Sequence, residues 1–318
     1  MFAKAALLLV AAAQGIFVPL GRPRVIEQPR APIESAGPRW AVACDGAKDP
    51  DSWNKPAPPV RIHGNTYLVG SCGISSILIV GDQGSILIDG GTEEDADLIA
   101  DNVRRLGYRV QDIRFILASH EHFDHVGGIA ELQRLSGATV VTSAAAAPVL
   151  RIGVPSTDDP QAGLVKRFPR VEVGRIARDG EEVRLGNLMV TAIATPGHTA
   201  GAMSWRWVSC DGGVCRTIVY ADSLNPISND TYRYSDHPAV VSAFRASIAK
   251  IAASPCEILL TPHPSASQMP ERLALGRPLL DGEACKNYAA AKAKALDDRL
   301  AKEAAPPATP TPPIPPKP

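Results

Sequence analysis

The chain carries no surplus of charge of either sign: 33 lysines and arginines stand against 33 acidic residues. It has no Lys/Arg-rich run either. Nucleic acid and anionic membrane surfaces both need a basic surplus to displace counterions, so neither is expected as a partner. Long apolar runs are missing. The single apolar stretch, at the start, falls far short of the ~20 residues a spanning helix needs. No unit repeats at a period of about 20–50 residues, which argues against solenoids and propellers. Proline is scarce in the middle of the chain: nine of the 29 lie between Pro19 and Pro59, eight between Pro306 and Pro318, and only 12 between residues 60 and 304. The globular part therefore lies between two Pro-rich ends. With 318 residues, 45% hydrophobic and 21% charged, it has the size of one large domain or two ordinary ones.

What is present at the start reads as an export signal. Met1-Phe2-Ala3-Lys4 is a short positive segment, Ala5 to Ala13 is apolar, and Ala11-Ala12-Ala13 offers an A-x-A cleavage site. The expected organisation is a signal peptide over 1–13, a Pro-rich extension over 14–43, a folded domain over 44–304 and a Pro-rich disordered tail over 305–318. The expected location is the periplasm, with no membrane association once the signal is removed. Export changes the meaning of the six cysteines, because an even count in an oxidising compartment points to disulfides. None forms the C-x-x-C pair of a redox or structural zinc site. Cys210 and Cys215 flank Asp211-Gly212-Gly213, a tight-turn sequence that can bring two strands together, so these two pair first. The other pairings stay open on the residues alone.

From Gly64 the pattern becomes regular. Thr66-Tyr67-Leu68-Val69, Ser76-Ile77-Leu78-Ile79-Val80 and Ser85-Ile86-Leu87-Ile88-Asp89 read as short strands punctuated by glycine. Thr92 to Leu106 reads as a helix capped by Thr92 and stopped by Gly107. A strand at Arg114–Ala118, a helix from about Val126 to Leu135 and a strand at Thr139–Thr142 follow. Residues 148–174, with Pro155, Pro160 and Pro169, read as loop. A second strand-rich block runs from Glu182 to Tyr220 and includes a hairpin of Met203–Val208 against Arg216–Tyr220. A helix at Val240–Ala252, a strand at Glu257–Leu260 and a helix at Cys285–Ala304 complete the chain. Two strand-rich halves, each followed by helices, suggest two stacked sheets with helices outside.

The residues that carry chemistry are Ser119-His120-Glu121-His122-Phe123-Asp124-His125, placed between a strand and a helix. Alternate residues of an extended segment point the same way, so His120 and His122 can clasp one cation. The chain then turns, and Asp124 and His125 can aim at a second. Imidazole suits zinc, and a carboxylate adds charge and hardness. His198, in Thr195-Pro196-Gly197-His198-Thr199, and His263, in Thr261-Pro262-His263-Pro264, each follow a strand in a constrained turn. His63 and His237 are left as ordinary surface or loop residues. Ser75 and Ser76 sit in neither the G-x-S-x-G elbow nor the S-x-x-K pattern of serine enzymes.

These segments resemble the metallo-β-lactamase superfamily. Gly64–Gly70, Cys72–Ser75, Leu87-Ile88-Asp89-Gly90-Gly91-Thr92, Tyr220–Leu224 and Thr261–Ser267 resemble in particular the third subclass of class B β-lactamases, over roughly Cys44 to Arg299. The resemblance implies a four-layer αββα sandwich and the disulfides Cys44–Cys72 and Cys256–Cys285. It implies two Zn2+ ions, one on His120, His122 and His198 and the other on Asp124, His125 and His263. It further implies hydrolysis of the β-lactam amide bond by a zinc-bound hydroxide. Two zincs ~3.5–4 Å apart can share such a hydroxide at neutral pH, because they lower the pKa of water to about 7. Asp124 would orient it, and Ser223 would sit near substrate without binding metal. Asp89 would steady a ligand histidine. Trp53, in Trp53-Asn54-Lys55-Pro56, and the loop around Val154–Gln161 would wall the groove, although Trp53 could instead pack near the N-terminal disulfide. Ser223 and Asn225 are the candidate donors to the substrate carboxylate. Adjacent residues after a strand point to opposite faces, so with Ser223 in the groove Asp222 should turn away into a structural hydrogen bond. The partners are then small-molecule β-lactams, and the protein is a monomer. An aspartate bridging both metals, as in thioesterases and lactonases of the superfamily, is the alternative, and Asp222 is the residue available for it.

Overall fold

Alternation of apolar side chains over short β-branched segments dictates the layering. A computed structural model of the chain describes residues 36–47, 50–277 and 279–305. The expected signal peptide, most of the extension and nearly all of the tail lie outside the described residues. The chain runs α1 (Ala36–Ala43), β1 (Val60–His63), β2 (Thr66–Leu68), β3 (Ile77–Gly81), β4 (Gly84–Ile88), α2 (Asp95–Arg105) and β5 (Ile113–Leu117). It continues through α3 (Phe123–Val126), α4 (Ile129–Ser136), β6 (Thr139–Thr142), α5 (Ala146–Ile152), β7 (Val173–Ile176), β8 (Glu182–Leu185) and β9 (Leu188–Ala194). It closes with β10 (Met203–Asp211), β11 (Val214–Tyr220), α6 (Pro238–Ala253), β12 (Ile258–Leu260), α7 (Met269–Ala274) and α8 (Ala284–Ala304). Strands β1 to β7 form one sheet in sequence order, and β12-β11-β10-β9-β8 form the other.

The two sheets stack face to face. In β3, Ile77 and Ile79 point into the core shared with Trp205, Trp207, Ile218 and Tyr220 of the second sheet. Leu78 and Val80, one residue out of step, point instead to Ile99, Val103, Ile129 and Leu132 of α2 and α4. The second sheet repeats this arrangement: Ile258 and Leu260 face inward, whereas Leu259 packs with Phe244 of α6 and Tyr288 and Leu296 of α8. A period of two on both sheets gives the expected αββα sandwich. Among the described residues no helix is long and apolar enough to cross a membrane.

Several local expectations need correction. Helix α1 lies within the segment read as an extension, yet its Trp40 is buried in the inter-sheet core and α1 packs on α7, so folded structure begins before Cys44. The stretch read as loop from 148 contains most of α5. Pro148 falls in its first turn, where the missing N–H has no helical partner to lose. Thr92 does not cap α2, which begins at Asp95 after Glu94. Its hydroxyl donates instead to Asn54 Oδ1 at 2.6 Å, tying the two loops together. The helix expected from about Val126 starts later, as α4 at Ile129, closed by Gly137 at φ 71°, and a separate single turn, α3, precedes it.

All three expected disulfides are present, and no described cysteine is free. Cys210 and Cys215 face each other across the β10–β11 hairpin in register. The bond between Cys256 and Cys285 joins the entry of β12 to the first turn of α8 across 29 residues. Replacing both cysteines by alanine should lower stability by roughly 2–4 kcal/mol, through the entropy the bond removes from the unfolded chain. Urea unfolding under non-reducing conditions measures it. An unchanged midpoint would show that packing alone fixes α8.

Candidate metal centre

The histidines converge because the strands that precede them end at one edge of the sandwich. Strands β4 and β5 run parallel, as do β11 and β12, and β9 joins their direction through the antiparallel β10. His120 and His122 follow β5, His198 follows β9 and His263 follows β12. Each thus projects from a sheet edge that the core holds rigid. His120, His122 and His198 offer ligand atoms all within 4.8 Å of one another, and so do Asp124, His125 and His263. The two groups abut: the rings of His120 and His125 are 4.3 Å apart. Every sequence-derived ligand candidate is brought together, and His63 and His237 lie elsewhere. His63 contacts the Val214 carbonyl, and His237 stacks on Tyr232.

Hydrogen bonds to the far side of each ring decide which nitrogen faces the cluster. His120 Nδ1 lies 2.8 Å from Asp222 Oδ1 and His198 Nδ1 lies 2.8 Å from the Asn225 carbonyl, so each N–H donates there and leaves Nε2 with its lone pair. His122 is held the other way, with Nε2 3.0 Å from Asp159 Oδ2 and Nδ1 left for the cluster. His263 Nδ1 lies 3.3 Å from the Gly73 carbonyl. His120 Nε2 and His125 Nδ1 are buried with no hydrogen-bond partner, and His125 Nε2 has only the Asp124 carboxylate, at 3.1 Å. Buried unsatisfied nitrogens are costly and rare, and here they converge. A set of five imidazoles and one carboxylate so arranged fits cations of the borderline class that take N/O ligands.

The electrostatics of His120, His198 and Asp124 agree with this. Burial, reinforced by the imidazoles of His125, His122 and His198, pushes His120 well below the ordinary histidine range. His198 is pushed down to about 3, by burial first and His122 second, against the pull of the Asn225 carbonyl. Neutral imidazole is the ligating form. Burial alone would raise Asp124, but His125 and His263 outweigh it and hold the carboxyl below its usual range, in the anionic form a cation needs.

Surrounding residues lock this geometry. Asp89 adopts a left-handed φ of 60°, rare for a residue with a side chain. Its carboxylate accepts from Ser119 N–H (2.7 Å), Ser119 Oγ (2.6 Å) and Tyr220 Oη (2.7 Å). It was expected to steady a ligand histidine, but its oxygen is 3.9 Å from His125 Nδ1, too far for a hydrogen bond. That work falls to Asp222 and Asp159. Glu121, buried inside the histidine motif, accepts from Thr199 Oγ1 (2.8 Å) and Gly201 N–H (3.0 Å) and so ties the His198 turn to the His120 loop. Gly197 sits against Phe244, where an added Cβ would come within 1.8 Å of the ring. Sequence reading missed Asp159 and Glu121. The first lay within a loop already read as a wall, and nothing local distinguished it from Asp158. The second lay within the motif itself.

A cavity of about 510 Å³ opens over the cluster, the size of a small-molecule site. Trp53, Ser223 and Asn225 line it, and Asp222 does not. Trp53 also lies 5.6 Å from the His263 ring and 5.9 Å from Phe123, so it is both wall and packing residue. The second wall is displaced from expectation: of residues 154–161 only Gln161 lines the cavity, and Leu164, Val165 and Lys166 continue it. Pro160 and Asp159 lie behind, Asp159 occupied with His122 and the Gln161 N–H.

The two ligand groups make a prediction about metal content. His198→Ala should weaken one site and His263→Ala the other, each variant keeping up to one metal ion per chain. Metal analysis after dialysis checks this. Two tightly held ions in either variant would contradict the grouping.

Comparison with known proteins places this centre. The model of the metallo-β-lactamase superfamily matches residues 69–263. Among solved structures the chain is 48% identical to the metallo-β-lactamase MIM-1 from Novosphingobium pentaromativorans, with a TM-score of 0.81 over 83% of this chain and 97% of that one. It is 46% identical to MEM-A1, a subclass B3 metallo-β-lactamase isolated from a soil metagenome library, with a TM-score of 0.77 over 79% of this chain and 98% of that one. It is 33% identical to BJP-1, a subclass B3 enzyme of Bradyrhizobium japonicum, with a TM-score of 0.73 over 79% of this chain and 97% of that one. A hydroxyacylglutathione hydrolase of Methylococcus capsulatus is 33% identical over 107 residues, 33% of this chain and 34% of that protein. The chain spans about a third of the length of the curated relatives it matches. The chain belongs to the metallo-β-lactamase superfamily, is a hydrolase with a metal-binding centre, and matches subclass B3 enzymes along nearly their whole length.

Proposed function

We propose that the protein hydrolyses the amide bond of β-lactam antibiotics with two zinc ions, one on His120, His122 and His198 and one on Asp124, His125 and His263. The observation that carries the reading is the pair of abutting ligand groups under a small-molecule cavity, in a chain similar over nearly their whole length to B3 metallo-β-lactamases. When bound, the two ions supply an ionised water at neutral pH and electrophilic help to the carbonyl oxygen and the departing nitrogen. The chain's own residues do the rest. Asp124, as carboxylate, accepts a hydrogen bond from the attacking water and orients it. Water adds its oxygen to the lactam carbon, the C–N bond breaks, and the nitrogen takes up a proton. Ser223 and Asn225 donate to the substrate carboxylate, and Trp53 covers one flank of the ring system. A monomer exported to the periplasm completes the reading; the three disulfides, a bond type that forms and persists mainly in oxidising compartments, support the export.

A second reading, thioester or lactone hydrolysis, is favoured by the partial likeness to hydroxyacylglutathione hydrolases and by Asp222 beside Ser223. Against it, Asp222 Oδ1 is engaged with His120 Nδ1, and Asp222 belongs to neither ligand group.

Purified protein should hydrolyse a chromogenic cephalosporin, lose turnover on chelation and regain it with zinc. Inhibitors that acylate a serine should have no effect. Turnover that survives exhaustive metal removal would sink the proposal.

The two readings part at residues 222 and 223. Ser223→Ala removes one hydrogen bond, worth ~0.5–1.5 kcal/mol, so it should keep both metals and lose at most about tenfold in turnover. Asp222→Asn should weaken only the site that holds His120, by roughly 10- to 100-fold in affinity. Loss of both metals in Asp222→Asn, with Ser223→Ala silent, would favour the thioester or lactone reading.

A further inference from the structure

The loop after β11 is backed by α8. The Tyr288 hydroxyl donates to the Asp222 carbonyl at 2.9 Å and accepts the Leu224 N–H at 3.2 Å. One turn on, Lys292 places its ammonium 2.5 Å from Asn225 Oδ1 and 4.9 Å from the centre of the Tyr288 ring. Lys292 is half-buried, and among the described residues no carboxylate pairs with it. It does not line the cavity, whereas Asn225 does.

A carboxamide can be turned either way, and its two ends have opposite chemistry. An ammonium has donors only, so the end facing it must be the oxygen. The planar amide then turns Nδ2 away from Lys292. The Asn225 backbone is held as well, because its carbonyl accepts from His198 Nδ1 at 2.8 Å and from the Ile227 N–H at 2.9 Å. No described residue accepts from Nδ2, which leaves its protons for a ligand beside Ser223. A cation on the oxygen also polarises the amide and strengthens its N–H donors.

We propose that Lys292 is a positioning residue for anion recognition: from behind the wall it fixes the Asn225 amide with Nδ2 toward the cavity, as a donor to the substrate carboxylate. The inference rests on the β-lactamase reading and goes beyond it, since Lys292 touches neither substrate nor metal.

The test uses the zinc-loaded full-length protein with a chromogenic cephalosporin, offered as the free carboxylate and as its methyl ester. Lys292→Met should raise KM for the carboxylate about tenfold and change kcat by less than about threefold. It should leave KM for the ester unaltered and zinc content at the wild-type value. Lys292→Arg should restore most of the affinity. Lys292→Gln, which keeps a polar chain without charge, replaces the methionine variant if that one is poorly folded. In an Asn225→Ala background the Lys292 change should add nothing, because its effect passes through the amide. Additive effects in the double variant, an equal rise in KM for the ester, or a fall in kcat at constant KM would each overturn the proposal. A wild-type protein with no turnover would overturn the β-lactamase reading and this inference together.

Discussion

Five imidazoles at one end of the sandwich must each present a lone pair to the same small volume, and the rest of the site follows from how that is enforced. A free imidazole has two equivalent choices of tautomer. A hydrogen-bond acceptor on the far side removes the choice, and the protein supplies one for His120, His122 and His198: Asp222, Asp159 and the Asn225 carbonyl. The differing hands of His120 and His122 follow directly. Their side chains leave the same extended segment, but one is held at Nδ1 and the other at Nε2, so different nitrogens reach the common centre.

The acceptors are themselves placed by the sandwich. Asp222 and Asn225 follow β11, whose Ile218 and Tyr220 lie in the inter-sheet core and whose Val219 lies under α6 and α8. Asp89, at the end of β4, is strained at φ 60° and compensated by three short hydrogen bonds to Ser119 and Tyr220. That junction clamps β4, β5 and β11 at the edge where the ligands emerge. It thus couples both sheets to the start of the histidine motif, which explains why a buried carboxylate stands there.

Much of this was legible in the residues. Short β-branched runs between glycines marked the strands at 77–80 and 85–88, and local geometry paired His120 with His122 and Asp124 with His125, while the resemblance assigned His198 and His263 to them. His198 and His263 were readable as strand-end residues, because a turn-forming Pro-Gly or Pro precedes each. What stayed hidden depends on long-range juxtaposition. Asp159 meets His122 across 37 residues, and Lys292 meets Asn225 across 67, with no periodicity to connect them. The prolines at 155, 160 and 169 make the whole of 148–174 read as loop, whereas Pro148 stands in the first helical turn of α5, where a missing N–H does not matter.

The site also has a cost that the scaffold must bear. Buried nitrogens without a hydrogen-bond partner, such as Nε2 of His120 and Nδ1 of His125, forfeit their hydration, at about 1–3 kcal/mol for each such group. Cations on these atoms would remove that penalty, so metal affinity and folding stability draw on the same free energy. The chain sets covalent constraints near the elements that carry the site. Cys44–Cys72 ties α1 to the loop before β3, close to Gly73, whose carbonyl meets His263. Cys256–Cys285 anchors α8, which backs the loop holding His120 and His198. Constraining the unfolded chain stabilises the fold without adding any contact inside the cavity. The pocket can therefore stay polar, while the surrounding elements keep their places.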